Sequence, residues 1–115
     1  MKPNIGYFNL LLFVLVVFNN CAQHDEFPVM RGPYLGQKPP GMTPEVFAPG
    51  VISHGFHEHS LTISPDGNDL FYVTTDAGYS LYRIIYLRKT NHVWSAPQIA
   101  PFSSDYSDFC PLFSP

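Results

Sequence analysis

The tetrapeptide Ser64-Pro65-Asp66-Gly67 lies between His59-Ser60-Leu61-Thr62-Ile63 and Asp69-Leu70-Phe71-Tyr72-Val73-Thr74-Thr75. Its reading decides the fold. Serine bonds the backbone of the turn it opens, and proline presets φ for the next position. Aspartate tolerates the bridge region, and glycine supplies a left-handed residue. Both flanks read as strands, so the stretch predicts a hairpin whose type I turn is closed by Gly67. In the second strand Leu70, Tyr72 and Thr74 point one way, and Phe71, Val73 and Thr75 the other. Both sets carry large apolar residues, which predicts a strand buried on both faces.

Working outward, Asp76-Ala77-Gly78 is the next turn, and a third strand is expected over 79–87. There Tyr82, Ile84 and Tyr86 share one face, and Leu81, Arg83, Ile85 and Leu87 the other. Residues 88–91 form a polar turn. A shorter fourth strand over 92–95 ends before Pro97, which cannot donate to a ladder. No stretch offers an apolar stripe at helical spacing, so the chain should be all-β: an antiparallel four-stranded unit. Then the opening motif starts again. Ser114-Pro115 repeats Ser64-Pro65 fifty residues on, which places Tyr106 on Phe56, Asp108 on Glu58 and Phe113 on Ile63. Residues 106–114 are therefore expected to be the first strand of a second unit. A fixed period of roughly 40–50 residues is the mark of a repeat array.

The first residues read differently. Lys2 precedes an unbroken apolar run over 10–18, too short for a bilayer helix, which takes about 20 residues. A basic start followed by a short apolar core is the layout of a secretory signal, assigned here to residues 1–20. Cys21 follows directly. Residues 21–50 read as a Pro/Gly-rich tether and leading segment, with prolines at 28, 33, 39, 40, 44 and 49 that forbid helix. This segment is expected to add little to the core. Residues 51–115 hold the repeat region. If Cys21 is engaged elsewhere, Cys110 lacks an intrachain partner; lying in a strand-like run, it is expected to be a small buried thiol. The whole chain has a formal charge of −3, and removal of Lys2 with the signal makes it more acidic. That excludes a basic nucleic-acid surface.

Two segments carry a family resemblance. Residues 58–72, with Ser64-Pro65-Asp66-Gly67 between a polar-led strand and an aromatic-rich one, resemble the repeat of TolB-like (WD-repeat-like) β-propellers of the bacterial envelope. Trp94-Ser95-Ala96-Pro97, Ser103-Ser104-Asp105-Tyr106-Ser107-Asp108 and Pro111-Leu112-Phe113-Ser114-Pro115 resemble the outer strand and blade crossing of the same proteins. The resemblance implies one propeller blade plus the first strand of a second. Propellers have about four to eight blades, so it also implies that the sequence is a fragment of a longer propeller. The apolar run ending at Cys21 resembles a lipoprotein signal, which implies a lipid on Cys21, a membrane attachment and an outer-membrane location facing the periplasm or the cell surface. The two asparagines before Cys21 depart from the small residues usual there.

The chemistry-bearing residues are few. His57 and His59 flank Glu58, and on a strand the i, i+2 spacing puts both imidazoles on one face. Two imidazoles and a carboxylate are candidate zinc or copper ligands. A polar lead-in to the first strand is the preferred reading of these residues, and no metal or other cofactor is assigned. Asp66 is accounted for by its turn rather than by acid catalysis. There is no Gly-x-Ser-x-Gly elbow and no Gly-rich phosphate loop. Tyr72, Tyr79, Tyr82, Tyr86 and Trp94 suit either a sugar-stacking platform or core, and at strand spacing core is preferred. No catalytic residue is assigned. The function expected is an envelope-anchored module that binds a protein or a glycan. The alternative is the propeller part of a glycan-acting hydrolase or lyase, or of a peptidase.

Overall fold

The computed structural model describes residues 27–114; the apolar run over 10–18, Cys21 and Pro115 lie outside the described residues. Five strands form one antiparallel sheet: β1 (His59–Ile63), β2 (Asp69–Thr75), β3 (Tyr82–Thr90), β4 (Val93–Trp94) and β5 (Gln98–Ile99). The spatial order is β1-β2-β3-β4, and β5 also pairs with β3. The protein is all-β among the described residues, as expected.

The registers place the predicted faces. Leu70 lies opposite Leu87 and Tyr72 opposite Ile85, while Phe71 lies opposite Tyr86 and Val73 opposite Ile84. The third strand starts later than predicted because Asp76 holds the chain in a loop. Its carboxylate accepts from the Ser80 N–H at 2.7 Å and from the Ser80 hydroxyl, and Tyr79 is left-handed at φ 54°. The strand also runs further, to Thr90. Asn91 and His92, at φ 50° and 64°, make the two-residue turn that suits a twisted hairpin.

The fourth strand is split. β4 and β5 follow one another along the far edge of β3, with Ser95-Ala96-Pro97 between them. Ser95 bridges the gap: its N–H donates to Arg88 O at 2.9 Å, and its hydroxyl accepts from Arg88 N–H at 3.1 Å. Pro97 brings no donor, so the ladder breaks there.

The core has two parts, one on each sheet face. On the first, Leu70, Tyr72, Ile85, Leu87 and Trp94 pack against Met30, Leu35, Ala48, Val51 and Ile52. This overturns the expectation that the proline-rich segment adds little core. The segment is pinned outside β4, where Trp94 N–H donates to Met30 O (3.0 Å) and the Trp94 indole N–H to Gly32 O (2.8 Å). Its prolines prevent helix, yet they do not prevent a coil from laying apolar side chains on the sheet. Burying each such side chain is worth about 1.5–3 kcal/mol.

On the second face Val73, Ile84 and Ala100 are buried beside Phe71, Tyr82 and Tyr86. Residues 101–113 cross this face. The strand expected over 106–114 does not form. Asp108 N–H makes one backbone bond, to Tyr82 O at 3.1 Å. The Asp108 carboxylate meanwhile accepts from the Ser103 hydroxyl and the Ser104 N–H, which holds the chain in a local turn. Phe109 and Phe113 sit against Tyr82 and Phe71, at ring separations of 4.6 and 5.4 Å. Cys110 is exposed and left-handed at φ 48°, not the buried thiol a strand would have made it.

Candidate binding groove

Three features build a groove at the β1 side of the first face. The first is a left-handed turn. Tyr34 and Leu35, at φ 52° and 57°, reverse the chain so that Leu35 enters the core while Tyr34 stays at the surface. Gly36, at φ 85°, completes the turn, where a Cβ would meet Arg31 O at 3.2 Å. The second feature is a clamp. The Gln37 amide donates to Val46 O at 3.1 Å and accepts from Ala48 N–H at 2.8 Å. That closes residues 38–45 into a proline-rich loop, with Lys38 Nζ 2.8 Å from Glu45 Oε1 across its mouth. The third is β1 itself. Leu61 and Ile63 lie on the same face as Leu70, but at the end of the sheet, and are 43% and 37% exposed.

Between loop and strand lies a cavity of about 340 Å³, bounded by Tyr34, Pro40, Pro44, Phe47, Leu61 and Ile63. A volume near 300 Å³ or above, an apolar lining and a few fixed polar groups are the marks of a ligand site. Of the polar groups here, the Gln37 amide is bound to backbone and Lys38 to Glu45, while the hydroxyl-bearing Tyr34 and Thr43 also line the cavity.

The residues singled out in the sequence lie elsewhere. Ser64 and Asp66 organise the β1–β2 turn. The Ser64 hydroxyl donates to Asp66 Oδ1 (2.5 Å) and accepts from the N–H groups of Asn68 (3.1 Å) and Asp69 (2.9 Å). Gly67, at φ 70°, donates its N–H to Ser64 O at 2.8 Å, and Pro65 fills the preceding turn position. The Ser64 hydroxyl and the Asn68 N–H hold the Asp66 carboxyl below the usual carboxylate range. Asp66 is thus an ionised acceptor, the opposite of a proton donor near neutral pH.

His57, Glu58 and His59 turn to separate partners. His57 packs on the Tyr79 ring at 4.3 Å. Glu58 Oε1 accepts from His54 N–H at 3.3 Å. His59 Nδ1 lies 2.9 Å from the Ser60 hydroxyl, which is 3.5 Å from Cys110 Sγ. β1 begins at His59 and bulges at Ser60, φ 54°, so strand alternation does not extend back to His57. Among the described residues no three His, Cys, Asp or Glu side chains converge as metal ligands. The aromatic platform does not assemble either. Tyr72 and Trp94 are buried on the first face, whereas Tyr82 and Tyr86 lie on the second.

Sequence reasoning missed the groove. Leu61 and Ile63 alternate as core residues would, and the prolines at 40 and 44 read as tether. The available signal is an apolar pair, Leu61 and Ile63, on a strand that among the described residues has no strand on its outer side. No protein-family model matches the chain, nor does any curated protein or any solved structure.

Proposed function

We propose that this chain is an envelope-anchored repeat protein of the TolB-like β-propeller kind, tethered by a lipid on Cys21 at the outer membrane, and that it binds a ligand without transforming it. The groove between residues 34–47 and β1 carries the binding reading. It is open, apolar-floored and built from a rigid strand and a clamped loop. The repeat reading draws on the sheet: four antiparallel strand positions in sequence, with the Ser-Pro-Asp-Gly turn between the first two. It draws also on the fifty-residue offset. Cys110 aligns with Ser60 by that offset, and the two side chains touch at 3.5 Å. That contact supports the offset, although the segment crosses the second sheet face without pairing with β1.

The test uses the full chain produced in a bacterial envelope. Metabolic labelling with a palmitate analogue should mark the chain and spare Cys21→Ala; equal labelling of both would sink the anchoring. Binding is read on arrays of peptides and of oligosaccharides, with an Ile63→Lys control. Retention that the substitution abolishes is expected. A chain that retains neither class but cleaves a glycoside or peptide substrate would instead favour the hydrolase reading.

A further inference from the structure

We infer that the groove takes a polypeptide, in extended form, paired along the outer edge of β1 with its apolar side chains set between Leu61, Ile63 and Phe47. The inference rests on the binding reading above and names the ligand class.

Two observations select a polypeptide over a glycan. A sugar needs free donors and acceptors for its hydroxyls, and the groove offers few. Both ends of the Gln37 amide are bound to backbone, and Lys38 and Glu45 neutralise each other at 2.8 Å. No other charged side chain lines the cavity. The matching surface is accordingly uncharged and apolar at its centre. Of the two rings at the groove, Phe47 packs against the core and Tyr34 alone offers an exposed face to a sugar; the rings of the expected platform, Tyr72, Trp94, Tyr82 and Tyr86, lie on the two sheet faces outside it.

The second observation is the edge. β1 is terminal in the sheet and pairs with β2 on one side. Among the described residues no backbone hydrogen bond reaches His59–Ile63 from the other side. An extended chain satisfies such an edge with main-chain bonds, while its alternate side chains enter a flanking pocket. Leu61 and Ile63 are two residues apart, so they present floor positions at the spacing at which a strand presents its side chains. The edge carries no Pro, Lys or acidic residue within His59–Ile63; its one blocking device is the bulge at Ser60, which leaves Leu61–Ile63 as the regular stretch open to pairing.

A random peptide display library selected on the full chain tests this. The expected survivors carry apolar residues at alternate positions. Their affinity should fall by at least about tenfold, or 1.4 kcal/mol, for Leu61→Lys and for Ile63→Lys, and hold for Ile63→Val. Trp94 fluorescence melts of each variant check that it is folded. Amide hydrogen exchange on the complex should show new protection within His59–Ile63. Survivors that ignore both lysine substitutions, or that leave those amides unprotected, overturn the inference. Oligosaccharides that bind at Leu61 would overturn it too, while leaving the binding-module reading in place. Failure of both ligand classes would remove both readings.

Discussion

Ser64→Ala tests the turn at the centre of the fold. Ser64 is 9% exposed, and its side-chain oxygen accepts two backbone N–H groups while its proton goes to Asp66. Alanine removes all three bonds. Asn68 N–H keeps a second acceptor, Asp66 Oδ1 at 3.1 Å. Asp69 N–H loses the side-chain oxygen that lay 2.9 Å away, at the first residue of β2. A net hydrogen bond is worth about 0.5–1.5 kcal/mol, and an orphaned, partly buried donor adds to that. The expected loss is about 1–2 kcal/mol. Ser64→Thr, which keeps the hydroxyl, should recover most of it. The assay is urea unfolding followed by the single tryptophan, Trp94, which is buried against Met30 and Gly32. Asp66→Ala should cost less, because the exposed carboxylate shares the Asn68 N–H with Ser64. The double variant should fall short of the sum, since the two side chains bond each other. The pH dependence follows. Asp66 is lowered when folded, so its contribution is present above the unfolded value of about 3.9 and is lost as pH falls through the lower folded value. Ser64→Ala removes the largest cause of that lowering, so acid sensitivity in this window should shrink. A Ser64→Ala midpoint indistinguishable from the parent, or an Asp66→Ala loss larger than that of Ser64→Ala, would refute the reasoning.

Gly67→Ala meets no atom within 4 Å, yet φ is 70°, so a loss of about 1–2 kcal/mol is expected from backbone strain alone; an unchanged urea midpoint would show that the turn rearranges. Leu35→Ala should cost about 2–5 kcal/mol if residues 27–52 are core, as its burial indicates, and a null result would return that segment to the status of a tether. Burial, aided by the charge of Glu58, pushes the Tyr72 hydroxyl up to about 12. Stability from this group is complete below the unfolded value of about 10 and is lost as pH rises toward 12, by at most about 2–3 kcal/mol. Tyr72→Phe should flatten that alkaline decline, and parallel declines in parent and variant would exclude Tyr72 as its source.

What the sequence made legible was what short-range rules govern. The parity of Leu70 and Tyr72 against Phe71 and Val73 follows from strand alternation, and the observed register keeps it. The Ser64–Gly67 turn follows from turn chemistry that acts within four residues. The misses have a common cause, which is that they depend on partners distant in the chain. Residues 106–114 align with 56–64 at the fifty-residue offset, but an alignment cannot supply a neighbouring strand. With one backbone bond to Tyr82 and the Asp108 carboxylate bound locally, the segment settles as an aromatic-anchored crossing. Prolines at 33, 40 and 44 announce the absence of helix and say nothing of burial; Met30 and Leu35 become core through the bonds that Trp94 makes to Met30 O and Gly32 O. The groove combines both failures. Its floor follows from alternation in β1, its wall from a clamp between Gln37 and Val46, and neither half is a site without the other. The histidines, conspicuous in the sequence, are the opposite case. Their spacing is local and readable, but the strand starts at His59, and what surrounds each ring is set by Tyr79, Ser60 and the backbone of Ile52. A functional reading of this chain therefore turns on where a coil segment meets a sheet edge, and the substitutions at Leu61, Ile63 and Leu35 probe that meeting from its two sides.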